Sequence, residues 1–310
     1  MRVLITGATG QLGQALVASV PDQLRGSSLE LLTPGRHQLD LADASACEAA
    51  VRDFRPDWVL NLGAYTAVDR AEQDADLAQA VNADAPKAIA QALADQPGGL
   101  GRMLQVSTDF VFDGAQGTPY LPDAPVAPLG VYGFSKAAAE QAVLAFLGPS
   151  NRVHVLRTGW VYGPVGSNFC RTMLRLHRER AAKGQPLAVV ADQVGCPTST
   201  LGLAEACWRL LTISARGATL PPVLHWSDAG AASWYDFAVA IGELGQSLGL
   251  LEQTARVLAI PTADYPTPAR RPSYSLLDCT ATRQLLELPA QHWRQALRSV
   301  LERLSVAQAP

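Results

Sequence analysis

At 310 residues, 48% of them hydrophobic and 17% charged, the chain is long enough to bury a large core and too apolar to be disordered. A formal net charge of −3 gives no basis for a nucleic-acid or anionic-membrane partner, so any anion site has to be local. Five scattered cysteines without a C-x-x-C pair suggest neither a disulfide framework nor a zinc site, and fit reduced thiols in a cytoplasmic protein. The N-terminus starts on a fold-forming run with no export leader, and no apolar run approaches membrane-spanning length.

The first element is the aliphatic run ahead of Gly7, Gly10 and Gly13, which leads into a helix-like stretch from Gln14 to Val20. It reads as strand, phosphate loop and helix. The first glycine allows a tight turn, the second lets backbone approach a pyrophosphate, and the third lets helix pack closely on strand. The spacing is G-x-x-G-x-x-G, one residue longer than the commonest dinucleotide fingerprint, but it stands where a βαβ unit should begin. Gly7, Gly10, Gln11, Leu12 and Gly13 are therefore candidate coenzyme contacts.

Short apolar runs follow at Leu29 to Leu32, Trp58 to Leu62, Met103 to Val106, Val153 to Leu156 and Val223 to Trp226. Helix formers fill Ala44 to Phe54, Ala71 to Ala94 and Ser135 to Phe146. This alternation predicts a Rossmann-like, doubly wound parallel α/β sheet. Past Gly159 the pattern loosens: Leu187 to Ala191 reads as a strand, while Pro261 to Pro272 carries four prolines and forms neither a regular helix nor a central strand. The expected organisation is a dinucleotide-binding half over residues 1–160 and a smaller α/β substrate half over 161–310, with a return segment to the sheet near 195–226.

Ligands of such a sheet sit beyond the carboxyl ends of its strands. Gly63-Ala64-Tyr65, Ser107-Thr108-Asp109 and Thr158-Gly159-Trp160 fall there, each just after an apolar run. Downstream lie Tyr132 and Lys136, four apart and so on one helical face. A phenol with an ordinary pKa of about 10 needs a neighbouring cation to exchange protons with an alcohol or ketone, and Lys136 is placed to supply it.

The glycine loop, the Ser-Thr-Asp segment and Tyr132-Gly133-Phe134-Ser135-Lys136 resemble the extended short-chain dehydrogenase/reductase superfamily. Ser107 to Gly114, Arg157 to Gly163, Asn168-Phe169 with Thr172 to Leu176, Asp192 to Thr198, Ser233 to Phe237 and Tyr265 to Pro272 resemble its dTDP-4-dehydrorhamnose reductase family nearly end to end. That resemblance implies reduction of the C4 ketone of a dTDP-deoxysugar by a nicotinamide coenzyme. Tyr132 would donate the proton, Lys136 would lower its pKa and hold the nicotinamide ribose, Thr108 would bond the substrate near the same oxygen, and Trp160 would pack on the sugar. The expected destination of the product is a bacterial surface glycan such as the O antigen of lipopolysaccharide.

No acid closes the second strand, where Thr33-Pro34-Gly35-Arg36 follows Leu32. Arg36 there favours NADPH, with NADH left open, and Asp40-Leu41 would flank the adenine. Arg270 and Arg271 are candidate clamps for the substrate pyrophosphate, with Asp109 beside Thr108 in the substrate site. Magnesium with a homodimer is an option in the family, but Gln14-Ala15 stands where relatives can carry a carboxylate, which leaves the metal unassigned. Three alternatives stay open: an epimerase or dehydratase, although Phe110 stands where a dehydratase has its glutamate; a 6-deoxy-L-talose-forming reductase; and a non-catalytic regulatory subunit of the same fold.

Overall fold

The computed structural model describes residues 1–308 other than 25 and 99. Its centre is one parallel sheet of β1 (Arg2–Thr6), β2 (Glu30–Leu32), β3 (Trp58–Asn61), β4 (Arg102–Thr108), β5 (Val153–Thr158) and the Val223–His225 strand. The order across the sheet is Val223–His225, β5, β4, β3, β1, β2. Every residue of β3 and β5 is buried, which is why their apolar positions do not alternate with exposed polar ones.

The two faces carry separate cores. On one, the Gln11–Ala18 helix packs with the Thr200–Ala215 helix over Val3, Ile5, Leu60 and Leu156. Trp208 closes that contact, its Nε1 donating to the Leu16 carbonyl at 3.1 Å. The second half of the chain thus supplies both a helix and an edge strand to the sheet. Opposite, Leu4, Val59, Met103 and Val155 face Val51, Ile89 and Val143 of the Ala44–Phe54, Ala85–Ala94 and Val131–Leu147 helices. Each such aliphatic side chain, fully buried, contributes roughly 1.5–3 kcal/mol. A third core lies between the Phe169–Ala181, Trp234–Ser247 and Trp293–Gln308 helices, beside a parallel pair of strands, Leu187–Val190 and Val257–Ile260.

Several boundaries differ from the sequence expectation. β4 and β5 run on to Thr108 and Thr158, because their ladder pairs Ser107 with Arg157 and Thr108 with Thr158. The helix expected over 71–94 is broken into Val68–Ala71, Ala75–Gln79, a π-helical turn at Ala80–Asp84, and Ala85–Ala94. Helix propensity alone is blind to this wide turn, whose effect is to aim Asn82 inward.

Candidate active site

The sheet order reverses between β1 and β3, and a cavity of about 620 Å³ opens over the carboxyl ends of these strands. Its glycine-loop end is shaped by backbone. Gly7 has φ +66°, and a Cβ on it would lie 2.6 Å from the Gly63 nitrogen; one on Gly13 would lie 2.3 Å from the Gly7 oxygen. Strand, loop and helix can meet this closely only without side chains. The Gln11–Ala18 helix starts at Gly10 with no side-chain cap, which leaves its first N–H groups free for an anion. Gly7, Gly10, Gln11, Leu12, Gly13, Arg36, Asp40, Leu41, Gly63, Ala64 and Tyr65 all line the cavity, as do Thr108, Asp109, Tyr132, Lys136 and Trp160.

At the opposite wall, the Val131–Leu147 helix begins one residue before Tyr132, so Tyr132 and Lys136 occupy its first turns. Burial pushes the Tyr132 phenol up to about 12, with the Asp109 charge adding to the shift and the Thr108 hydroxyl opposing it. The lowering expected from Lys136 is therefore not found. Lys136 is itself buried and donates to the Val106 carbonyl at 2.7 Å. Burial pulls its ammonium down to about 8, against the favourable charge of Glu140. Asp109, also buried, is pushed up to about 6 by desolvation, which the Ser275 and Thr108 hydroxyls resist. Thr108 donates to Asp109 Oδ1 at 3.1 Å, while Asp109 Oδ2 and the Thr158 hydroxyl have no hydrogen-bond partner.

Buried polar residues that no local motif announces support this pair. Asn82 accepts from the Tyr65 nitrogen at 2.8 Å and donates to the Tyr65 carbonyl and the Ser135 hydroxyl at 3.1 and 3.0 Å, pinning the loop after β3 to the Tyr132 helix. Glu140, one turn beyond Lys136, accepts from the Ser107 hydroxyl at 2.5 Å and from Arg157, whose Nη2 lies at 2.7 Å and Nε at 3.0 and 3.1 Å. The i+4 spacing from Lys136 to Glu140 was a readable signal. The partner on β5 was not.

Trp160 takes a left-handed backbone, φ +52°, and stacks on Trp234 with centroids 3.6 Å apart and planes within 3°. Gln193 accepts from Trp234 Nε1 at 3.2 Å, and a Cβ on Gly195 would strike the Trp160 indole. Arg270 and Arg271 lie outside the cavity lining. Arg270 is exposed, whereas Arg271 forms a forked ion pair with Asp69 at 2.7 and 2.9 Å, binding the proline-rich segment to the Val68–Ala71 helix. Arg36 is exposed and 4.0 Å from Asp40. Of the arginines on the Phe169–Ala181 helix, Arg171 bonds the Gly166 carbonyl, Arg175 pairs with Glu179, and Arg178 bonds the Leu250 carbonyl. Gln14 donates to the Thr9 carbonyl. Among the described residues no group of three or more His, Cys, Asp or Glu could hold a metal, and no helix is long and apolar enough to cross a membrane.

The sequence model described as the RmlD substrate binding domain matches residues 1–306. A dTDP-4-dehydrorhamnose reductase of Sinorhizobium fredii is 39% identical over 305 residues, covering 97% of each chain. A protein of Streptomyces antibioticus named as a probable dTDP-4,6-dihydroxy-2-methyloxan-3-one 4-ketoreductase is also 39% identical, over 100% of this chain and 98% of that one. The crystal structure of a dTDP-4-dehydrorhamnose reductase from Bacillus anthracis in complex with NADP superposes with a TM-score of 0.83 at 31% identity, covering 97% and 99% of the two chains. With a family model and relatives that match it from end to end, the chain belongs to the dTDP-4-dehydrorhamnose reductase family of Rossmann-fold oxidoreductases.

Proposed function

We propose that this protein reduces the C4 ketone of dTDP-4-dehydro-L-rhamnose to dTDP-L-rhamnose with NADPH, and that Tyr132 donates the proton. The observation that carries this reading is the convergence of Tyr132, Lys136 and Thr108 on one cavity that begins at the glycine loop. The bound coenzyme supplies the reducing equivalent to the ketone carbon. Tyr132 supplies the proton to the oxygen. Held up at about 12, it stays protonated at neutral pH, the state that a donor needs, yet it is still far more acidic than the alcohol being formed. Thr108 bonds the same oxygen and orients it.

Lys136, charged below about 8, offsets the negative charge left on Tyr132 once the proton has gone. Asp109, on the cavity wall beside Thr108, is the acceptor we assign to a sugar hydroxyl. The face of Trp160 turned away from Trp234 serves the sugar ring. The glycine loop takes the coenzyme pyrophosphate, Arg36 favours the phosphorylated ribose of NADPH, and Asp40-Leu41 flanks the adenine. Exposed Arg270 is the cation we assign to the substrate pyrophosphate, while Arg271 braces the segment that carries it. We place the enzyme in the cytoplasm, where its coenzyme and nucleotide sugar are found.

The close Streptomyces relative gives a second reading, 4-ketoreduction of another dTDP-deoxysugar. One assay separates the two. The purified protein is given dTDP-4-dehydro-L-rhamnose with NADPH or NADH, coenzyme oxidation is followed, and the product is identified by NMR. Stoichiometric dTDP-L-rhamnose is expected; coenzyme oxidation that yields the C4 epimer corrects the stereochemistry, and no oxidation at all removes the substrate.

A further inference from the structure

Thr6, Asn61 and Gln105 occupy direct partner positions across β1, β3 and β4. All three are buried, at 1%, 1% and 0% exposure, in a sheet whose neighbouring positions are Ile5, Leu60 and Leu104. Apolar residues would fill this layer of a central parallel sheet equally well. What distinguishes the three is that they form a hydrogen-bonded chain. The Leu62 and Gly63 nitrogens, which can only donate, point at Thr6 Oγ1 from 3.2 and 3.3 Å. The single Thr6 proton then goes to Asn61 Oδ1 at 2.5 Å, so Asn61 Nδ2 must donate onward to Gln105 Oε1 at 2.7 Å. Gln105 Nε2 in turn donates to the Val106 carbonyl at 2.9 Å. Each amide orientation follows from the one before it, and every bond runs in the same direction.

The chain ends on an oxygen that Lys136 Nζ also uses, at 2.7 Å. Gln105 and Lys136 both donate to this one oxygen and so share its two lone pairs; what the Gln105 bond contributes is a carbonyl held in a fixed place and orientation for the ammonium. The chain starts at Gly63, whose nitrogen lies against Gly7 in the coenzyme loop. We infer that Gln105 and Asn61 are positioning residues for the reduction, a buried strut that sets Lys136 relative to the coenzyme loop through the Val106 carbonyl. This rests on Tyr132 and Lys136 being the proton-transfer pair. Other charged or titratable groups around Lys136 are Glu140 on its own helix, with Arg157 of β5 behind it, and Tyr132 and Asp109 on the cavity wall.

The sequence has three lysines, and the other two, Lys87 and Lys183, are exposed, so Lys136 can be followed alone by its side-chain NMR titration without reference to turnover. Gln105→Met keeps length and removes both bonds. Gln105→Glu keeps the acceptor for Asn61 and places a carboxylate beside the Val106 carbonyl. With Gln105→Met, Lys136 is expected to titrate lower than in the wild type, and kcat to fall about tenfold while both KM values stay within about threefold. With Gln105→Glu, Lys136 is expected to titrate higher. Should Gln105→Met not fold, the direction of the Gln105→Glu shift decides. A Lys136 titration unmoved by either change, or a loss of turnover matched by loss of folded protein, overturns the strut. Absence of turnover in the wild type would instead remove the assigned reaction and leave the titration result standing.

Discussion

The two ends of the cavity are built on different principles. At the glycine loop, recognition depends on side chains that are missing: Gly7 and Gly13 have no room for a Cβ, and the helix start carries no side-chain cap. At the Trp160 end, the arrangement depends on large side chains brought together from far apart in the chain, with Trp160 on Trp234. The first kind of site is fixed by backbone geometry and tolerates little change. The second is a packing arrangement between distant segments, at the end we propose for the sugar. Between them lies the tyrosine–lysine helix.

The largest effect is expected there. Tyr132→Phe should lower kcat by roughly 10²–10⁴ with coenzyme affinity unchanged, measured by steady-state kinetics and by quenching of protein fluorescence on NADPH binding. Near-normal turnover would remove Tyr132 as the donor. Next comes the backbone end: Gly13→Ala forces a methyl against the Gly7 carbonyl and should cost about 1–3 kcal/mol, read as lost coenzyme affinity or a lower Tm. If the variant bound NADPH normally, close approach would not be what shapes this end.

At the stacked end, Trp234→Ala should raise KM for the nucleotide sugar about three- to tenfold, with smaller effects on the coenzyme, and Trp234→Phe should recover most of the loss. An equal rise in both KM values would dissolve the contrast between the two ends. On pH, Lys136 loses its charge as pH rises through about 8, while Tyr132 keeps its proton to about 12. Activity should therefore fall on the alkaline side with a midpoint near 8, belonging to the lysine. A limb that stays in place in Lys136→Arg would assign it elsewhere. The smallest effect is expected at Arg36, which is exposed: Arg36→Ala should cut the preference for NADPH over NADH only a few-fold, as found by comparing kcat/KM for the two coenzymes.

Much of the glycine-loop end was legible in the sequence because its causes are local. Three glycines directly after a strand fix a turn within a dozen residues, and runs of buried aliphatics mark parallel strands wherever they occur. The Tyr132–Lys136 spacing likewise needs only a helix. Less was legible where tertiary context outweighed propensity. Asn82 sits in a stretch that reads as uninterrupted helix, and only its bonds to Tyr65 and Ser135 account for the wide turn. Arg271 reads as a phosphate clamp but is paired with an aspartate 202 residues away.

By itself, then, the sequence determined the parallel sheet, the glycine loop and the tyrosine–lysine helix, since periodicity and glycine spacing act over one or two turns of chain. Tertiary structure alone decided the electrostatics of the site and the shape of its Trp160 end. A pKa depends on what surrounds a group in space: burial, which the sequence does not state, raised Tyr132 where its spacing from Lys136 suggested it would fall. The Trp160 stack and the Thr6–Asn61–Gln105 ladder are likewise products of register and packing between segments that the chain keeps far apart.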